Sequence, residues 1–168
     1  MSRFLKKLCI SLCTVVSCTA LSQQAPYLNE VKVIDFGTIL GLSGTCHLAY
    51  DTAIVSDAGG NLCPFQEVVY GTLGKYQIVA APHTQIQIRI VDRPNNGDGI
   101  TFTPAGVFQV LGLPDILIAP KTFQTVSTGD TGVITIIMGG TLVNSTPQNF
   151  NTSYLFNIES GITFNEIP

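Results

Sequence analysis

Cysteine and histidine are the side chains best suited to chemistry in this 168-residue sequence, and their spacing limits what that chemistry would be. Cys9, Cys13 and Cys18 lie near the N-terminus, which leaves Cys46 and Cys63 as a pair of their own. In an oxidising compartment two such cysteines most simply form one disulfide. A metal centre would need more ligands close by. His47 adjoins Cys46, but neighbours along a strand project to opposite faces, so the two are poor co-ligands. No metal or cofactor is expected.

The two histidines, His47 and His83, do not suggest a nucleophilic site. A triad needs a serine and a carboxylate beside one of them, and no nucleophile-elbow sequence is present. His83 follows Pro82 and reads as a loop residue. Asp92, Asn95 and Asp98 surround a Gly-rich turn with oxygens of the kind calcium prefers, yet their spacing fits a plain hairpin turn better than a calcium loop. No pair of acids stands out for glycosidase chemistry. The expectation is therefore a protein with no catalytic residues, and not an enzyme.

The segments that carry these residues begin with a leader. Arg3, Lys6 and Lys7 precede an apolar stretch from Leu8 to about Val16, followed by small residues around Ser17 to Ala20. That order is a secretory signal peptide, too short in its apolar core to span a bilayer. Cleavage after Ser22 would suit an ordinary signal peptidase. Val15-Val16-Ser17-Cys18 also resembles a bacterial lipobox, in which Cys18 would be lipidated. Beyond residue 22, five basic residues face eleven acids, a formal net charge of −6. Such a domain lacks the basic face that nucleic acid requires. No later run is long and apolar enough for a membrane helix.

Only 11% of the chain is charged, against about 25% in an ordinary soluble domain, so Thr, Ser, Asn and Gln must cover the surface. Helical periodicity is almost absent and strand signals are frequent. Ile86, Ile88 and Ile90 alternate with Gln85, Gln87 and Arg89, the period of two that a half-buried strand needs. Other strands are expected at Val31 to Phe36, Tyr76 to Val79, Thr101 to Thr103, Val107 to Val110 and Thr122 to Val126. Val133 to Met138, Thr141 to Val143, Tyr154 to Ile158 and Ile162 to Phe164 complete the set. Asn95 to Gly99, Gly129-Asp130 and Gly139-Gly140 read as turns. Asn144 and Asn151 open N-glycosylation patterns and read as polar surface residues. Short strands at this spacing argue for an all-β, antiparallel sandwich over residues 31–168, preceded by a flexible lead at 23–30.

Val33-Ile34-Asp35-Phe36-Gly37-Thr38-Ile39 resembles the "LDFGTI" opening of the DUF4402 family of bacterial exported proteins. Gly139-Gly140-Thr141-Leu142 is similar to that family's "GATL" segment, and the region around Asn151 to Tyr154 looks like its closing strand. The likeness spans most of residues 33–165, although the Cys46 to Cys63 insertion departs from it and the last strand lacks the usual glycines. The resemblance implies an immunoglobulin-like sandwich near spore-coat-U and archaic chaperone–usher subunits, and no catalytic residues.

A surface fibre built by strand exchange follows as the leading expectation. The lead segment of one copy would fill the sheet edge of the next, with a periplasmic chaperone and an outer-membrane usher as the expected delivery partners. The inward row of such a donor would be Tyr27, Val31 and Val33, which avoids burying Lys32 or Glu30; Leu28, Lys32 and Ile34 form the other row. The same segment also reads as the first strand of a complete domain. The alternative function is a stand-alone envelope module, anchored through Cys18, that binds carbohydrate or protein. A fibre-tip adhesin would want a second domain.

Overall fold

The computed structural model describes residues 25–40, 42–60, 62–63, 69–93, 99–147, 152–156 and 161–167. Every strand pairing among them is antiparallel, and none of these residues forms an α-helix. The fold is an all-β sandwich. The expected signal segment, Cys18, Asn95 and Asp98 lie outside the described residues.

The larger layer is organised on one long strand, β11 (Val133–Asn144). Along one edge β11 carries β8 (Ile100–Gln109) from Thr135 to Asn144. Its other edge is shared. The first half pairs with β6 (Gly74–Val79) and the second half with β3 (Gly44–Leu48). Outside β6 lies β1 (Tyr27–Lys32). Outside β3 lie β4 (Ile54–Gly60) and then β5 (Val69–Tyr70), while β9 (Ile116–Leu117) borders β8.

Two smaller sheets cover the core. In one, β7 (Gln85–Ile90) is flanked by β10 (Gln124–Ser127) and β13 (Ile162–Ile167). In the other, β2 (Ile34–Ile39) pairs with β12 (Thr152–Phe156). The expected alternation in β7 holds: Ile86, Ile88 and Ile90 are buried in the same core as Tyr76, Ile78, Ile134, Ile136 and Phe102. Phe36 of β2 meets Phe102 of β8 edge to face at 6.0 Å, which ties the layers together.

Gly139-Gly140 is not a turn. It lies inside β11, where the strand's edge passes from β6 to β3. A Cβ on Gly139 would stand 2.2 Å from the Leu48 carbonyl oxygen, and one on Gly140 2.3 Å from that of Thr103. Glycine is required by close approach of neighbouring backbones. Likewise the two strands expected around Phe102 and Phe108 are one, because Pro104 and Gly106 continue β8 opposite Gly140 and Met138.

Asn144 is also placed differently from the sequence reading. It is buried, with Nδ2 donating to the Leu42 carbonyl at 3.0 Å, so it holds a loop rather than decorating the surface. Asn151 lies outside the described residues.

Candidate functional site

Cys46 and Cys63 are bonded, with Cα atoms 5.7 Å apart and both side chains buried. The bond joins β3 to the segment after β4, where the Leu40 amide donates to the Leu62 carbonyl at 2.8 Å. His47 points away from Cys46, and its Nδ1 lies 3.2 Å from Thr141 Oγ1 on β11. His83, at φ 59° in an exposed turn, has Nε2 3.6 Å from an Asp130 oxygen. Asp92 binds Lys121 at 2.8 Å through one oxygen, while its Oδ1 is buried without a hydrogen-bond partner among the described residues. No group of three or more His, Cys, Asp or Glu side chains is placed to hold a metal among the described residues.

The feature with the clearest capacity for interaction is β1. Its residues are paired with β6 in the same chain, Tyr27 opposite Val79, Leu28 opposite Ile78, Asn29 opposite Gln77 and Glu30 opposite Tyr76. A bulge follows, after which Lys32 stands opposite Lys75. The strand therefore begins at Tyr27, within the segment expected to be a flexible lead. It is an edge strand, and one side of its backbone has no neighbouring strand among the described residues.

Within its own chain, the Tyr27 and Val31 row expected to enter a neighbour's groove lies on the solvent side of the sheet. Tyr27 and Val31 are 45% and 48% exposed, whereas Leu28 packs against the core. Parity explains this: Leu28 shares a face with Ile78, which is fully buried, so its neighbours Tyr27 and Asn29 must take the solvent side. Val33 belongs to neither strand. It alone connects β1, in the large sheet, to β2, in a different one.

Attachment of β1 rests on backbone pairing and little side-chain burial. Half-burial of one leucine contributes on the order of 1 kcal/mol. Edge hydrogen bonds add roughly 0.5–1.5 kcal/mol each. The Lys32–Lys75 pairing subtracts from that, because like charges directly opposite repel. By contrast β2, one residue further on, buries Ile34, Phe36 and Ile39 almost completely. A firmly rooted strand thus carries a lightly held one on a single-residue tether.

These features define an antiparallel β-sandwich with β1 at one edge of its larger sheet. Comparison of the chain with protein-family models, curated proteins and solved structures gives no match.

Proposed function

We propose that this chain is an exported structural subunit of a bacterial surface fibre, joined to its neighbours by exchange of β1. The observation that carries the reading is the one-residue connection at Val33 between a weakly anchored edge strand and a buried one. A short hinge favours exchange, because straightening it lets β1 and β2 run on as one strand into another molecule. The β1–β6 contacts would then form between copies in the same register. Each copy gives at one end and receives at the other, a head-to-tail interface that propagates into a filament when it does not close. The immunoglobulin-like sandwich and delivery by a chaperone and usher belong to this proposal through the DUF4402 resemblance, and export through the leader pattern of residues 1–22.

The test is a denaturing gel of material sheared from the cell surface, loaded unheated and heated. Strand exchange predicts multimers in the unheated lane that collapse to one band on boiling, since the interlocked subunits separate only by unfolding. One observation favours a second reading: β1 is satisfied within its own chain. A single band in both lanes, with the protein retained in the envelope, would support that self-contained binding module.

A further inference from the structure

The outward face of the large sheet, where β1, β6, β11 and β8 lie side by side, differs in charge from an otherwise acidic chain. We propose that this face binds an acidic polysaccharide, with lysines meeting sugar carboxylates and a row of carboxamides meeting hydroxyls.

Cross-strand partners share a face, so the register gives its layout. In one row Lys32 stands beside Lys75. Neither makes an ion pair with a described residue, unlike Lys121, which is held by Asp92. Only five basic residues lie beyond position 22, and two of them are adjacent here. Their mutual repulsion is relieved by an anion placed between them.

The next row crosses all four strands as Asn29, Gln77, Thr135 and Gln109. Strands are about 4.8 Å apart, so three carboxamides and a hydroxyl are presented at regular intervals. Each carboxamide offers a donor and an acceptor together, the combination a vicinal hydroxyl pair can satisfy. Gln109 Nε2 already donates to Asp115 at 2.9 Å, which leaves its carbonyl oxygen as the acceptor. Asp115 touches the face only there, at the β8 edge; no other carboxylate falls in these rows among the described residues. In the third row Tyr27 lies beside Val79 and Val133, an exposed ring and two aliphatic groups able to cover the C–H face of a sugar.

At the β8 end the face deepens into an open groove of about 510 Å³. Lys75, Gln109, Val133 and Thr135 line it, together with Leu111 and Gly112 of the following turn. That volume lies in the range of small-ligand sites. A phosphate polymer fits less well. Two lysines on a chain of net charge −6 give little counter-ion release, and nothing in the carboxamide row selects phosphate.

This inference goes beyond the fibre reading and does not depend on it. The face has the same composition whether β1 comes from its own chain or from another copy.

The experiment is titration of the purified full-length protein with polygalacturonate, with dextran as a neutral glucan, and with a thymidine oligonucleotide as a phosphate polyanion. Saturable binding to polygalacturonate is expected, with dextran and the oligonucleotide at least about tenfold weaker. Lys75→Gln is expected to lower polygalacturonate affinity about tenfold or more, the effect of losing one charge-assisted contact. Gln77→Ala should reduce it several-fold, and Lys121→Gln should leave it unchanged within roughly twofold. Relief of the like-charge pair means that Lys75→Gln also unfolds at the same or a higher temperature, which separates lost binding from lost folding. The proposal is overturned by absence of saturable binding, by equal binding of the oligonucleotide, or by an equal loss in Lys121→Gln.

Discussion

A chain lacking residues 25–32 is expected to fold, to lose every multimer from the unheated gel, and to regain stability when a peptide of residues 25–33 is added. The deletion removes only one side chain that packs on the core, Leu28, so the β7, β8 and β11 framework remains. It exposes the edge of β6 from Lys75 to Val79, which had paired with β1. Loss of that pairing should cost on the order of 2–3 kcal/mol, read as a lower denaturation midpoint. Added peptide restores the edge by strand addition, and the midpoint should climb with the logarithm of peptide concentration. A truncated chain that still laddered would mean that some other surface joins the subunits. Failure of the peptide to stabilise the truncated domain would mean that β6 is not an acceptor.

Replacing Cys46 and Cys63 together by alanine is expected to lower stability by about 3 kcal/mol, the chain-entropy value for a loop of this size. For a domain of this length that corresponds to a fall in Tm of roughly 10 °C, measurable by calorimetry in parallel with the parent protein. The loss arises mainly in the unfolded chain, which gains freedom between residues 46 and 63. Assembly of the folded protein should persist, because β3 pairs with the far half of β11, Gly140 to Asn144, away from the half that carries the β1–β6 pair. If the alanine variant matched the parent in Tm, the disulfide would contribute nothing to the fold.

How far the sequence could be read depended on whether one physical cause acted alone at each position. Alternating isoleucines in β7 have a single explanation, burial of one face, and the structure agrees. Cys46 and Cys63 were similarly constrained, as no other cysteine lay beyond residue 18. Glycine has more than one explanation. Gly139 and Gly140 invite a turn by conformational freedom, but they serve close backbone approach inside a 12-residue strand, a fact set by partners distant in sequence.

The division at Val33 was hidden for a related reason. Val31 to Phe36 has uniform strand propensity, and only the pairing of Leu28 with Ile78 reveals that two sheets meet there. Strands β3, β4 and β5 gave little signal because β5 is only two residues long and Gly44, Gly59 and Gly60 leave β3 and β4 few side chains to alternate. The carboxamide row could not be read at all. Asn29, Gln77 and Gln109 are ordinary polar residues until the register sets them side by side.

The most direct test of strand exchange uses Asn29→Cys with Gln77→Cys in one chain. These positions are cross-strand partners on the solvent face, so their Cα atoms fall within disulfide reach wherever β1 lies on β6. Surface material carrying both substitutions is oxidised, boiled and run without reductant. Exchange between copies predicts covalent multimers that collapse to monomer on reduction, since each new bond links one chain's β1 to its neighbour's β6. A monomer band alone, with the new bond mapped between residues 29 and 77 of the same chain, would contradict it.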